Sequence, residues 1–302
     1  MKKFFFAVYL SLFPLCAYAQ EDTSAEYFVE SVKIDPTIYN SQSLYSTDDL
    51  RLRNRIFLIN NTQLTSDTAT GVCRKKDSKN KTLGKWMAKA FPVDSPETHT
   101  FLSIRNPSDF NVPYSEATLI SAVGYICSDL QEKWNNGPKQ AILPNKKLLL
   151  TWENDGVLLI LRKIKPGEKI LPSFKCNENN NETEETICSS NALSGWDQSM
   201  AEAFRKAIAR ASRNDAQAYV FQTKKTKVSD VSNLMKFQNK WLQKRNNCTV
   251  DKECITSQYS RQVNTLESIS IEGKTPDALS ENDEKITKED MMYISKLTKK
   301  KK

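Results

Sequence analysis

Phe174-Lys-Cys176, Glu185-Thr-Ile187-Cys188-Ser, Leu193-Ser-Gly-Trp196-Asp197, Gln238-Asn-Lys-Trp241-Leu242-Gln-Lys-Arg245-Asn-Asn-Cys248 and Cys254-Ile255-Thr-Ser-Gln-Tyr259 follow one another between Phe174 and Leu266. Four cysteines frame two or three helices. Leu193, Trp196, Met200, Phe204 and Ala207 recur on one helical face. Val231, Leu234, Phe237 or Gln238, and Trp241 mark a second face, and Ile255, Tyr259, Val263 and Leu266 a third. Each stripe needs a neighbour, because an isolated helix of this length is marginal in water. Core packing is the ordinary reading of Trp196 and Trp241, with ligand stacking as the alternative. The pattern holds no catalytic set. It reads as an all-α, disulfide-stapled module that binds something.

If the first two long helices form an antiparallel hairpin, all four cysteines gather at one end of the bundle. Spacing alone allows three connectivities. Local pairs, Cys176 with Cys188 and Cys248 with Cys254, are favoured because each closes a short irregular segment. A loop of that size contributes roughly 2 to 3 kcal/mol in the chain-entropy account.

The other end of the chain speaks to compartment. Lys2 and Lys3 precede a short apolar run from Phe4 to Leu15, too short to span a bilayer. Ala17-Tyr18-Ala19 is a small-x-small cleavage sequence. Residues 1–19 read as a secretory signal peptide, with a periplasmic or secreted product. Lipidation at Cys16 is the minor alternative, since Pro14 and Leu15 are poor neighbours for it. Cleavage leaves six cysteines and a net charge of about +6. An even count in an oxidising compartment points to disulfides, and no C-x-x-C spacing suggests zinc or redox chemistry. Cys73 and Cys127 form the remaining pair, with two buried thiols as the alternative.

The chain divides by composition. Most prolines and β-branched runs lie before about residue 170, whereas residues 190–267 contain no proline and one glycine, Gly195. Lys165-Pro166-Gly167-Glu168 is a turn-forming boundary. The expected domains are residues 20–170, residues 174–267, and a charged tail over 268–302. In that tail Thr287-Lys-Glu-Asp290 reads as a capping box.

The first domain reads as α+β. Arg55–Ile59 and Phe101–Ile104 are strands. Lys147–Trp152 and Val157–Leu161 flank Asn154-Asp-Gly156, a strong hairpin signal. Ser115 is read as the cap of a helix carrying Leu119, Val123, Ile126, Leu130 and Trp134 on one face, ended by Gly137-Pro138.

An enzyme is not expected. His99, the sole histidine, has no partner motif, and no phosphate loop, nucleophile elbow or metal spacing occurs. Paired-carboxylate chemistry between distant acids stays open. No cofactor, metal or nucleic-acid partner is expected, nor a transmembrane segment after signal removal.

The run from Phe174 to Leu266 resembles the LprI-like lysozyme inhibitor family. The resemblance rests on Cys176, Glu185 to Cys188, Leu193 to Asp197, Gln238 to Cys248, and Cys254 to Tyr259. It departs at Trp196, where leucine is usual, at Phe204, where tyrosine is common, and at Gln262, where arginine is usual. Ser212 to Ser229 is longer and more basic than the pattern. The resemblance implies an exported helical binding protein with lysozyme, or another envelope protein, as partner. In this reading the loop with Lys224, Lys225 and Lys227 is the candidate contact, reaching the two carboxylates of a lysozyme cleft. The alternative is an envelope assembly factor that uses the helical domain for docking. Net positive charge gives no steering toward a basic lysozyme; only Glu178, Glu182, Glu184 and Glu185 would attract one.

Overall fold

The computed structural model describes residues 24–36, 45–67, 69–91, 105–127, 137–152, 156–221 and 230–272. The signal segment, Phe101–Ile104, His99 and the capping box at Thr287 lie outside them.

The N-terminal part is a closed antiparallel barrel of eight strands. They are β1 (Ala25–Ile34), β2 (Ile56–Ile59), β3 (Gln63–Ser66), β4 (Ala69–Thr82), β5 (Leu119–Cys127), β6 (Lys139–Ile142), β7 (Leu148–Trp152) and β8 (Val157–Lys163). Each strand pairs with the next. β8 returns to β1 with Val32 opposite Leu159 and Tyr27 opposite Lys163. Closure removes the exposed edges that an open sheet would leave. Period-two alternation sorts the side chains. Val29, Val32, Phe57, Ile59, Leu64, Val123, Tyr125, Leu148, Leu150, Trp152, Leu159 and Leu161 form one buried cluster. That cluster draws on strands from all around the barrel, so it fills the lumen. Phe57 and Trp152 meet edge to face within it, ring centres 5.9 Å apart. This barrel interior is a packed core.

The hairpin read at Asn154-Asp-Gly156 is the β7–β8 pair, and Gly156 takes the left-handed conformation at φ 67°. The helix read from Ser115 is not there. Leu119 to Cys127 is strand β5, and residues 128–136 lie outside the description. In β5 the residues read as a helical face diverge: Leu119 and Ile126 are exposed, while Ile120, Ala122, Val123 and Tyr125 are buried. Nine paired positions along β4 fix this strand, from Thr82–Leu119 to Cys73–Cys127. Among the described residues the N-terminal part is therefore a closed barrel carrying the short helix α1 (Leu83–Ala90) and a 3-10 turn at Pro107–Phe110, rather than the expected α+β arrangement. α1 is capped by Thr82, whose hydroxyl accepts from the Lys85 amide. Leu83, Trp86 and Met87 on one face cover the barrel's outer wall at Ile120, Ala122, Ala141, Leu149 and Leu158.

The C-terminal part is helical: α2 (Glu182–Cys188), α3 (Asn191–Phe221), α4 (Asp230–Asn246) and α5 (Lys252–Glu272). α2 opens with a capping box in which Asn181 and Glu184 each accept from the other's backbone amide. The three apolar stripes meet in one core. Leu193, Trp196, Met200, Phe204, Ala207, Leu234, Trp241, Ile255, Tyr259, Val263 and Leu266 are all buried in it. Leu50 from the barrel joins that core. Three disulfides staple the chain: Cys73–Cys127 across β4 and β5, Cys176–Cys188, and Cys248–Cys254. Thr183 donates to the carbonyl of Asn246 at 3.0 Å, which ties α2 to the end of α4. The two helical disulfides thus sit at the same end of the bundle.

Candidate functional site

The motif residues converge, but they converge inward. Asp197, fully buried in α3, accepts from the Ser173 amide (2.6 Å), the Ser173 hydroxyl (2.5 Å) and the Tyr259 hydroxyl (2.8 Å). Arg245, near the end of α4, lies 4.0 Å from the same carboxylate. It also donates to Tyr259 Oη at 3.3 Å, Glu184 Oε1 at 3.3 Å and Asn246 Oδ1 at 2.7 Å. Burial pushes the Tyr259 phenol well above its ordinary range, and Asp197 adds to that. The phenol therefore stays a neutral donor toward Asp197. A buried charge is tolerated when it is paired and hydrogen-bonded, and this set meets that condition.

A second polar chain runs beside it. Gln262 donates to Gln238 Oε1 at 2.8 Å, and Gln238 donates to Met200 Sδ at 3.0 Å. Gln262 stands where the family pattern carries arginine, and a neutral amide relay fills its place. Trp241 donates its indole N–H to the carbonyl of Gln258 at 3.1 Å and packs on Tyr259, ring centres 5.3 Å apart. The helical motif is thus a buried scaffold holding α2, α3, α4 and α5 in register. Asp197, Gln238, Trp241, Arg245 and Tyr259 face inward, whereas Glu185, Gln243 and Lys244 of the same motif are exposed.

A third constellation joins the two parts of the molecule. Arg55, at the start of β2, is 1 % exposed and lies over the Trp196 ring at 3.3 Å. Its guanidinium donates to the Gly195 carbonyl (2.9 Å) and the Ser199 hydroxyl (2.8 Å). Asn54 donates to the same hydroxyl at 3.2 Å, and Ser199 donates onward to the carbonyl of Arg53. A Cβ on Gly195 would stand 2.1 Å from the Asn54 carbonyl, so only glycine allows this approach. Trp196, where the pattern usually has leucine, supplies the face on which the barrel's arginine stacks. Asp67 is half-buried, but both its carboxylate oxygens are enclosed and neither has a side-chain partner at hydrogen-bond distance. Burial raises its pKa to about 6, partly offset by Arg55 and, more weakly, by the nearby backbone amides of Ile56 and Asp67. Burial lowers Arg55 to about 9, with Asp67 acting the other way. Asn191 extends the contact, donating to Glu26 Oε2 at 2.6 Å and accepting from the Ile170 amide at 2.9 Å.

Sequence reasoning passed over this interface. Arg55 was read only as the first residue of a strand, although a charged residue at the head of an apolar run was a usable signal. The six cysteines Cys73, Cys127, Cys176, Cys188, Cys248 and Cys254 all stand in disulfides, at structural positions. Lys224, Lys225 and Lys227 lie in 222–229, outside the described residues. Among the described residues no group of three or more His, Cys, Asp or Glu side chains is placed to hold a metal ion. No helix among them is long and apolar enough to cross a membrane.

Barrel and bundle together define a β-barrel joined to a disulfide-stapled helical module. Residues 176–278 match the family model described as Lysozyme inhibitor LprI. The match covers the helical module, where Cys176 to Tyr259 carried the resemblance, and leaves the barrel outside it. No curated protein and no solved structure matches the chain.

Proposed function

We propose that this chain is an exported, non-enzymatic binding protein whose helical module engages a lysozyme by protein–protein contact. The match of residues 176–278 to the lysozyme-inhibitor family carries this reading. We assign residues 20–170 and 174–267 to two domains, the first serving as a rigid carrier for the second. Because the motif residues are consumed inside the bundle, binding falls to its surface and loops. The segment with Lys224, Lys225 and Lys227, between α3 and α4, is the candidate contact. Ammonium groups there would meet the acid and nucleophile carboxylates of a lysozyme cleft, where charge-assisted bonds form in a water-poor site.

The test uses the whole secreted chain against a panel of lysozymes, with cell-wall lysis and direct binding measured in parallel. Inhibition by the wild type, weakened by K224A/K225A/K227A at unchanged helicity, supports the proposal. Each charge-assisted bond lost should cost about 1.5 to 3 kcal/mol. Absence of binding to every lysozyme class at high micromolar protein overturns it. The module would then be read as a docking unit of an envelope assembly factor.

A further inference from the structure

A second site lies on the barrel, outside the family match. Strand β4 carries the basic run Arg74-Lys75-Lys76-Asp77-Ser78-Lys79-Asn80-Lys81. Its pairing with β5 slips between Lys75 and Asp77, a bulge of the kind that re-aims side chains. Alongside runs α1, and beyond β5 comes β6. Between them is a cleft of about 360 Å³. Its walls carry Lys76, Lys79 and Lys81 from β4, Lys89 from α1 and Lys139 from β6, with Trp86 of α1. Asp77 is the one acidic residue on that lining.

Three observations make this more than a solvated basic face. First, the charges converge on one concavity from three separate elements, and no ion pair neutralises those five lysines among the described residues. Like charges gathered at a cleft repel one another, and an anion seated there relieves the repulsion. Burial and the neighbouring Lys89 both push the Lys139 ammonium below its ordinary pKa. Second, Lys139 is held in place, donating to the Lys89 carbonyl at 2.9 Å. Third, Trp86 of this lining is 2 % exposed, and its enclosed indole N–H has no acceptor. An unsatisfied buried donor is rare and calls for a cause.

We propose that this cleft binds a phosphate-bearing ligand. The chemistry favours phosphate over carboxylate. Arginine's planar fork matches a carboxylate, whereas lysine acts as a mobile point charge. All five cations on the lining are lysines. A group with two charges and several terminal oxygens can engage them together, with Trp86 as the aromatic wall of the cleft. The volume suits a diphosphate or a sugar phosphate. The same chemistry is offered by free phosphorylated solutes and by anionic lipid headgroups.

The test titrates the full-length secreted chain with pyrophosphate and with a hexose 1-phosphate, using calorimetry and tryptophan fluorescence. In parallel it is mixed with phosphatidylglycerol and phosphatidylcholine vesicles. Saturable binding, weakened at least about tenfold in K79Q/K81Q/K139Q and several-fold in W86F, supports the site. K165Q/K169Q, on the far connection, should bind like wild type, and circular dichroism should show every variant folded. Binding to the free phosphates identifies a soluble ligand; binding confined to phosphatidylglycerol vesicles and lost in the triple variant identifies a headgroup. Lack of saturation by any of these probes, or unchanged binding by the triple variant, overturns the proposal. Neither outcome depends on lysozyme, because the cleft lies outside residues 176–278.

Discussion

Asp67 should make stability depend on pH in a direction opposite to that of an ordinary surface carboxylate. Its pKa is raised from 3.8 to about 6 because burial disfavours the charged form, and Arg55 only partly offsets this. Well below pH 3.8 the group is protonated in folded and unfolded chains alike, and it imposes no penalty. As pH rises toward 6 the unfolded chain ionises while the folded chain keeps its proton. The folded state binds more protons across that window, so stability falls with rising pH. Above 6 the full penalty is present. A shift of about two units corresponds to roughly 3 kcal/mol. The perturbation is Asp67→Asn, which keeps the shape and removes the titration. Urea unfolding followed by circular dichroism at pH 4 and pH 7.5 gives the readout. The difference between variant and wild type should move in the variant's favour by about 2 kcal/mol from pH 4 to pH 7.5, the rest of the penalty having developed below pH 4. Glu267, also raised by burial, titrates in both proteins and cancels in that difference. Parallel pH profiles for the two proteins would show Asp67 to be solvated and would refute the reasoning. Arg55→Met supplies a further check: without the nearby cation the Asp67 window should move upward.

Gly195→Ala places a methyl against the Asn54 carbonyl, where 2.1 Å is available. It should lower stability by about 1 to 3 kcal/mol in the same denaturation assay, the cost of overpacking a dense contact. Tyr259→Phe removes one hydrogen bond to Asp197 and one from Arg245. Both partners are buried, so a loss of about 1 to 3 kcal/mol is expected, read as a fall in the urea midpoint at unchanged slope.

Legibility in the sequence followed the range of the forces involved. The helical stripes at Leu193–Ala207 and Ile255–Leu266 were readable because helical period is a local signal, and each of those residues is buried. The β7–β8 hairpin was readable for the same reason, since Asn-Asp-Gly and its flanking apolar runs are contiguous. Barrel closure was not, because it depends on β1 meeting β8 across more than a hundred residues. Strand β5 was misread because Leu119, Val123 and Ile126 happen to fall at helical spacing. Its long pairing with β4, sealed by Cys73–Cys127, overrides that local hint. β4 itself is charged enough to pass for a loop. α1 was missed although Thr82, Leu83, Trp86 and Met87 held its cap and its face; eight residues give a weak period. The lysines of the cleft were visible as a basic run, but their convergence with Lys89 and Lys139 exists only after folding.

The division of labour within the helical module bears on where specificity resides. Asp197, Arg245 and Tyr259 are buried and satisfied by one another, by Ser173 and by Glu184. Residues so placed tell a reader that the bundle will form, not what it will grip. The departures from the family pattern are more informative. Trp196 is one such departure; it and its neighbour Gly195 occur where the module receives Arg55 and Asn54 of the barrel, and each is explained by that contact. A leucine at 196 would offer Arg55 no aromatic face, and any larger residue at 195 would force the barrel away. These two positions therefore adapt a family scaffold to its attached barrel.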